Sequence, residues 1–591
     1  MKGSVLVVGD NSLAALQTVR SLGRAGLDVH LVKFESGSVT KYSRYVRKTY
    51  HFGHPLTDTD RFVTGVLAAV KEGPFDLVIP TSDKSLVPLM RVSDEIRQQV
   101  PFAAPNPLGF EVTQRKDRTL ELADRLGIRT PRTTVVRSAE LLPEFKQLGD
   151  FPLVLKPSTS VTLGKAKQNS VKVIESLDEM LQRLPEMLET CPVLVQEYCP
   201  GTGLGLAVLA NHGHVFAAFQ YRRVHEPPAG GQSTYRVSEP LSDSLLDNAR
   251  RFCREVGWTG PAMFEYKVHP DIQEPVLMEV NGRMWGSMAL AIQAGVDIPR
   301  LLYEMLVLNK TTETFQYRVP YFVRNTCKDM YWLQANLRAA SDRRHLIKVP
   351  LRQVARELGN IPRLREGFDI ESLSDPIPGF IGWWHLVRSS AVAVKAKANR
   401  LWWKRAAGEM VRRTRERGAA MRQRIRDCHS VLFVCTGNIN RSAVAAARMS
   451  ALLGAAGSAI KVASAGFIEK EGRSPSDLSK EVAADLGVDI LRHRSTILTV
   501  QMVEAFDIVV VMEASHLVPL RRIKRAVLQK TVLLSGFDPL NNSVDISDPY
   551  GARRHTFNET YVRIIRCVDE LFRQAIGDFQ AQKTPEATSW R

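Results

Sequence analysis

Cys435 and Arg441 stand six residues apart at the end of an apolar run, Val431-Leu432-Phe433-Val434, and the loop between them reads Thr436-Gly437-Asn438-Ile439-Asn440. A buried strand that delivers a cysteine to a tight loop, with an arginine opening the next helix, curls successive backbone N–H groups toward one centre and sets a helix N-terminus behind them. This is an oxyanion cradle. The same field favours thiolate over thiol at a cysteine placed within it. Arg441 is suited to clamp two phosphate oxygens, and Ser442 to donate a hydrogen bond to the thiolate. Attack by Cys435 on phosphorus would give a phosphocysteine, and Asp548, in Ser547-Asp548-Pro549-Tyr550, is the candidate acid for the leaving group and base for the hydrolytic water. The bare Cys-x5-Arg spacing also fits a buried structural cysteine near an unrelated arginine. The preceding strand, Asn438, Ser442 and the distant Asp-Pro pair argue for the phosphate reading.

A second set of chemistry-bearing residues lies in the N-terminal half. Glu265, in Phe264-Glu265-Tyr266-Lys267, precedes Glu279 by fourteen residues, and Glu279-Val280-Asn281 runs into Gly282-Arg283. Carboxylates on strand positions of equal facing, with an asparagine, suit a hard cation such as magnesium bridging nucleotide phosphates. Arg283 is placed to stabilise charge on a transferring phosphoryl group. Lys156 ends the run Pro152-Leu153-Val154-Leu155 and precedes a small-residue loop, 158–164, able to fold over phosphates; Lys116 offers another phosphate contact. Gln196-Glu197-Tyr198, at a strand end, is placed to present backbone to adenine. Taken one at a time these residues have blander uses: a solvated lysine, or a surface ladder of acids. Their order and the Asn-Gly-Arg run favour the nucleotide reading.

The C-terminal block closely resembles the low-molecular-weight tyrosine phosphatases, the bacterial members most of all. Cys435-Thr436-Gly437-Asn438-Ile439 and Arg441-Ser442 match the family loop, and Ala463-Ser464-Ala465-Gly466, Val511-Met512-Glu513 with His516, and Asp548-Pro549-Tyr550 follow in family order. The resemblance spans roughly 430–575 and implies that Asn438 braces the loop and Asp548 is the general acid. Two positions depart from the pattern: Asn440 stands where the family usually has a second cysteine, and Ala443 where it has proline. The nucleophile is kept, and a partner for a protective disulfide is lost. Residues 1–310 resemble the ATP-grasp superfamily, in particular its carboligase-like members, including a similar turn at Thr81-Ser82-Asp83. That resemblance implies ATP held between two lobes, with Mg2+ (or Mn2+) on Glu265, Glu279 and Asn281. It implies phosphate contacts from Lys116 and Lys156, a nucleotide hinge at Gln196, Glu197 and Tyr198, and a catalytic role for Arg283. Its usual reaction makes an acyl-phosphate from a carboxylate, which an amine or other nucleophile then attacks.

The elements that must position these residues are legible in outline. Val5–Val8, Val29–Val32 and Leu77–Pro80 read as buried strands, with an amphipathic helix over 12–25. The first turn, Gly9-Asp10-Asn11-Ser12, lacks the G-x-G-x-x-G spacing of a dinucleotide site. A helix is expected near 116–126, ending at Gly127, and strands at 151–156, 193–196, 262–267 and 276–280. The expected fold is a multidomain α/β and α+β chain. A Rossmann-like domain (1–105) precedes a two-lobed ATP-grasp domain (106–310) with an extension (311–380). A basic helical linker (381–428), a separate α/β phosphatase domain with a central parallel sheet (429–578) and a tail (579–591) follow. The stretch 222–236, with Arg222, Arg223 and Gly230-Gly231, reads as a mobile loop that either covers the substrate or does nothing in particular.

At 591 residues the chain needs several cores, and 44% hydrophobic with 24% charged residues excludes bulk disorder. No apolar run approaches a membrane span, and the short start before Val5 is not read as a signal peptide. Seven cysteines without paired spacing indicate neither a disulfide framework nor a zinc site, so a reducing cytoplasm is the expected compartment. The net charge is +18, of which 381–428 supplies +10, with 13 Lys or Arg against 3 Asp or Glu. That segment, with Trp383-Trp384 and Trp402-Trp403, reads first as a solvated linker, then as a weak contact for anionic membranes, and last as a nucleic-acid site. The expectation is a bifunctional enzyme. One half is a ligase using ATP and a carboxylate; the other is a hydrolase for phosphotyrosine protein or a small phosphomonoester. The rival is a regulator whose ATP-binding module controls the phosphatase without ligating anything.

Overall fold

The computed structural model describes residues 2–576, apart from 10–12, 36, 139–150, 166–169, 228–231, 270–273, 339–347, 360–365, most of 390–424, 541–542 and 553. The chain divides into two compact units, Met1–Val387 and Arg388–Arg591. The tail 579–591, Trp402-Trp403 and most of the basic segment lie outside the described residues.

The first unit opens with a parallel sheet of β1 (Ser4–Val8), β2 (Asp28–Val32), β3 (Val46–Tyr50) and β4 (Leu77–Pro80), in the order β3-β2-β1-β4. Every residue of β1 is buried. Val5 and Val7 enter one core while Leu6 and Val8 enter another, so both faces are covered and the strand reads as a continuous apolar run. Each such side chain contributes about 1.5–3 kcal/mol by leaving water. A four-stranded antiparallel sheet follows, with β5 (Thr133–Val136), β6 (Leu153–Pro157), β7 (Lys172–Ile174) and β8 (Val193–Glu197) in the order β5-β8-β6-β7.

The largest sheet has seven strands: β9 (Thr202–Asn211), β10 (His214–His225), β11 (Tyr235–Ser238), β12 (Gly260–Val268), β13 (Pro275–Asn281), β14 (Phe322–Arg324) and β15 (Glu366–Phe368). Its order is β13-β12-β9-β10-β11-β14-β15. Along β9, Leu204, Leu206, Val208 and Ala210 face one core and Ala207 and Leu209 the other, the period of two that a doubly covered strand requires. Arg222 and Arg223, expected in a loop, are strand residues of β10, and Tyr235 and Arg236 belong to β11. The alternation of the strand separates the two arginines: Arg222 pairs with Glu239 at 2.5 Å and Arg223 with Glu265 at 2.6 Å.

Residues 311–380, which carry little pattern in sequence, supply β14, β15 and the helices Thr326–Arg338 and Leu351–Leu358. Buried ion pairs hold them in addition to a few apolar contacts such as Val323. Arg324 joins Glu366 at 2.8 Å, Arg236 joins Asp369 at 2.5 Å, and Arg20 joins Asp375 at 2.9 Å. His225, fully buried, lies between Asp329 at 2.8 Å and Glu357 at 2.6 Å, stacked 3.5 Å from the Trp332 ring.

The second unit has a parallel sheet of β16 (Ser430–Cys435), β17 (Lys461–Gly466), β18 (Ile508–Val511) and β19 (Thr531–Leu533), ordered β17-β16-β18-β19. Val431, Phe433 and Cys435 face one core, Leu432 and Val434 the other. The mixed α/β and α+β architecture with a C-terminal parallel sheet is the expected fold class. Among the described residues, no helix is long and apolar enough to cross a membrane.

Candidate functional site

Cys435 is the last residue of β16, and Arg441 the first of the helix Arg441–Ala455. The loop between them closes on the sulfur. The Asn438 backbone N–H donates to Cys435 Sγ at 3.2 Å, and Ser442 Oγ lies 3.0 Å from it. The direction of the second bond follows from its neighbours. Asn438 Nδ2, which can only donate, donates to Ser442 Oγ at 2.9 Å, which leaves the serine hydrogen free to point at the sulfur.

Asn438 is fully buried with φ +52°, a left-handed conformation that asparagine tolerates better than most residues. Its side chain ties three segments together, donating to Ser442 and to Ser464 of β17, each at 2.9 Å, and accepting from the Thr496 N–H at 2.7 Å. Its carbonyl accepts from His493 Nε2 at 2.7 Å. Gly466, ending β17, lies so close that a Cβ there would stand 2.8 Å from the Asn438 nitrogen.

Arg441 is fully buried and its guanidinium is engaged from several sides. It donates to Glu513, to Asp548 at 2.7 Å, to the Ile546 carbonyl at 2.8 Å and to Thr436 Oγ1 at 3.4 Å. Burial pushes the Glu513 carboxyl up, but the Arg441 charge prevails and holds it below the usual range. Burial, reinforced by Arg441, lowers the His516 imidazole to about 4, so it is neutral at ordinary pH where it meets Thr436 Oγ1 at 3.1 Å. Asn440 is buried with neither amide atom hydrogen-bonded, and the Ile439 side chain packs toward Gly437.

In the first unit, Glu265 of β12 lies directly opposite Glu279 of β13, beside a β-bulge. Two like charges in that register repel, and the surroundings answer them. Arg223 pairs with Glu265 at 2.6 Å, Lys156 with Glu279 at 3.3 Å, and Asn281 Nδ2 donates to both carboxylates at 3.2 and 3.3 Å. Burial raises the Glu279 carboxyl, but Lys156 and Lys116 outweigh it and hold the group at about 2. An amide donating to two opposed carboxylates fills the place of a cation; turned over, it presents Oδ1 and completes a set of hard oxygen donors, so the residues fit Mg2+ or Mn2+. Among the described residues no group of three or more His, Cys, Asp or Glu side chains is gathered for a metal; the set here depends on the asparagine.

These residues line a cleft of about 850 Å3 that also includes Lys116, Lys156, Gln196 and Arg283. Lys116 donates to Ser160 Oγ at 2.9 Å, and burial lowers its ammonium from the usual lysine range. Arg283 makes two 2.8 Å bonds to Asp83, at the start of the helix Asp83–Met90, and a third to Asn281 Oδ1 at 3.1 Å. Glu197 and Tyr198 are not among the lining residues; Glu197 is taken by Arg132, at 2.6 Å from its Nε. The sequence names Asp83, Ser160, Arg223 and Glu513 only as members of a turn, a loop or a motif, and gives them no partner; Arg236 and Arg473 carry no signal of their own. Arg473 donates to the Gly437 carbonyl at 2.6 Å.

Each unit therefore carries one anion site: a backbone loop at the edge of a parallel sheet, and a cationic cleft walled by antiparallel strands. Residues 430–581 match the family model described as low molecular weight phosphotyrosine protein phosphatase, and 189–327 match the one described as ATP-grasp in the biosynthetic pathway with Ter operon. The C-terminal region is 36% identical over 133 residues to the probable low molecular weight protein-tyrosine-phosphatase AmsI of Erwinia amylovora, covering 22% of this chain and 88% of that protein. Through this domain the chain belongs to the low-molecular-weight protein-tyrosine-phosphatase family, and within its N-terminal half the ATP-grasp match covers 189–327. That half is 25% identical over 216 residues to a D-aspartate ligase of Enterococcus faecium, covering 34% of this chain and 51% of the ligase. It is also 27% identical over 333 residues to a carbamoyl phosphate synthase large chain of Thermus thermophilus, covering 52% of this chain and 32% of that protein. The chain thus spans about half the length of the D-aspartate ligase and a third of the synthase chain.

Proposed function

We propose that the chain is a bifunctional enzyme, an ATP-dependent ligase joined to a phosphomonoester hydrolase that acts on phosphotyrosine in protein or on a small phosphomonoester. The observation that carries the hydrolase is the Ser442 hydroxyl, left free by Asn438 to donate to Cys435 Sγ at 3.0 Å. In this reading the thiolate attacks phosphorus, the ester P–O bond breaks, and Asp548 gives its proton to the leaving oxygen. Water then attacks the phosphocysteine, Asp548 takes a proton back, and the S–P bond breaks to return the thiolate that Ser442 stabilises. A bound phosphate competes with Asp548 for Arg441, which frees the carboxyl for the leaving group. Thr436, Gly437, Asn438, Ile439 and Asn440 form the cradle.

For the ligase, a substrate carboxylate oxygen attacks the γ-phosphorus of ATP and ADP departs. An amine or other nucleophile then attacks the acyl carbon of the acyl-phosphate, releasing phosphate. Glu265, Glu279 and Asn281 would hold Mg2+ or Mn2+, which supplies neutralising charge beside the phosphates. Lys116 and Lys156 contact phosphates, Arg283 stabilises charge on the transferring group, and the β8 end at Gln196–Tyr198 presents backbone to adenine. The match to a D-aspartate ligase supports ligation over ATP binding alone. A reduced Cys435 fits a cytoplasmic setting, and weak contact of 381–428 with anionic lipid is open to a liposome co-pelleting test at low salt.

Two assays test the reading. Hydrolysis of p-nitrophenyl phosphate should be abolished in Cys435→Ser; persistence of turnover in that variant sinks the phosphocysteine route. ADP release should depend on a carboxylate and an amine and be lost in Glu279→Ala. Tight ATP binding with no release across a broad panel would favour the regulatory alternative. Untargeted metabolite profiling of wild type against Glu279→Ala identifies the substrates.

A further inference from the structure

The cleft of the ATP-grasp module is more cationic than a nucleotide needs. Its described lining includes seven Lys or Arg side chains and two Glu. ATP brings about four negative charges and a bound magnesium ion returns two of them, so a positive excess remains for a second anion. Part of that excess lies away from the Glu265–Glu279 pair, where β11 meets the loop after Arg283.

Two donors on that wall are unanswered. Arg236 and Trp285 line the cleft, each with only 1% of its surface exposed. Arg236 Nε and Trp285 Nε1 are buried and have no hydrogen-bond partner. A buried N–H without an acceptor destabilises a fold and is rare unless something supplies the acceptor. The rest of Arg236 is fixed: Nη2 donates to Asp369 Oδ2 at 2.5 Å and Nη1 lies 3.4 Å from Ser287 Oγ. Asp369 is fully buried and is not among the lining residues, so the pair presents its cationic side to the cleft. Gly286, between Trp285 and Ser287, also lines the cleft, and a Cβ built on it meets nothing within 4 Å, so the wall is open there.

We infer that this wall is a subsite for a second carboxylate of the ligase substrate, separate from the one that is activated. Arg236 Nε and Trp285 Nε1 donate to its oxygens, with Ser287 beside them, and the substrate class is a dicarboxylate. A guanidinium N–H and an indole N–H are donors only and so reject an apolar or cationic group at the same place, because the donors would then stay unpaired. The inference rests on the ligase reading for the identity of the first carboxylate; its binding test does not depend on turnover.

The test is calorimetric titration of the full chain, loaded with Mg2+ and a non-hydrolysable ATP analogue, with succinate, glutarate and adipate and with the monocarboxylates of equal length. One of the dicarboxylates should bind at least about tenfold more tightly than its monocarboxylate partner, the ratio expected for charge-assisted bonds in a buried site. Trp285→Phe keeps an aromatic ring and removes the donor, and Arg236→Lys keeps the charge; each should bring the ratio below about threefold. A ratio near one in the wild type, or one that neither variant changes, overturns the subsite, and equal competition by inorganic phosphate overturns its assignment to carboxylate. Binding with this preference but without ADP release would leave the subsite standing and refute the ligase instead.

Discussion

Replacing Asn438 should cost the phosphatase unit stability in an amount its contacts define. The side chain is fully buried and makes three hydrogen bonds, to Ser442, Ser464 and the Thr496 N–H. Asn438→Ala removes all three at about 1 kcal/mol each, and leaves the Thr496 donor without its acceptor. It also puts alanine at φ +52°, adding about 1–2 kcal/mol. The expected loss is therefore about 4–5 kcal/mol, or a fall in melting temperature on the order of 10 °C for a unit of this size. Asn438→Gly removes the same bonds without the left-handed strain and should recover about 1 kcal/mol of it. Calorimetry of the full chain reads both variants. Adding Mg2+ and a non-hydrolysable ATP analogue shifts the N-terminal transition and so identifies the other. If both variants stay within about 1 kcal/mol of wild type, or if glycine is worse than alanine, the bracing argument fails.

Three further outcomes follow from the same geometry. Ser442→Ala should lower kcat about 10–100-fold by removing one charge-assisted bond to the departing thiolate, and should expose a pre-steady-state burst of p-nitrophenol; an equal fall with no burst places the loss before phosphocysteine breakdown. His225 is buried between Asp329 and Glu357; burial opposes its charge, but the two carboxylates outweigh it and raise its folded-state value. Its contribution is therefore fully present below about pH 6.5 and is lost as pH rises through that raised value, so the N-terminal transition should fall in this window in wild type and much less in His225→Gln. With Asn440 in place of a second cysteine, a peroxide pulse should inactivate the hydrolase in a way that dithiothreitol reverses poorly; full recovery of p-nitrophenyl phosphate hydrolysis refutes this.

What could be read from sequence was local. The Cys435 loop declares itself because strand, loop and helix start fall within a dozen residues, and the alternation of Val431, Phe433 and Cys435 fixes which face the sulfur takes. Glu265 and Glu279 could be matched because an antiparallel pair of strands brings them into register. The partners of these residues could not be read. Arg283 finds Asp83 two hundred positions earlier, and Arg20 finds Asp375 more than three hundred later. Such pairs leave no period in either segment. Arg222 and Arg223 look like loop residues because two adjacent charges hide the alternation that sends one to Glu239 and the other to Glu265. The stretch 311–380 was opaque for the same reason: buried ion pairs tie it to a distant helix at Arg20 and a distant strand at Arg236, and its short strands add little apolar pattern of their own.

The two anion sites show why this difference in legibility arises. The loop around Cys435 draws on backbone N–H groups and neutral side chains, whose positions are set by a short stretch of chain, and the guanidinium of Arg441 is already balanced by Glu513 and Asp548. Its selectivity comes from directed donors that a phosphate satisfies without large net charge. The cleft works with formal charges carried in from β6, β10, β11, β12 and β13 and from a helix start at Lys116. Each of those charges is buried at a cost and must be answered by another, so changing one of them shifts the balance on all the rest. That is the reason the cleft needs the extension: Asp369, next to β15, answers Arg236 from behind. With that answer in place, Arg236 is held by its inner nitrogen while the residue lines the cleft.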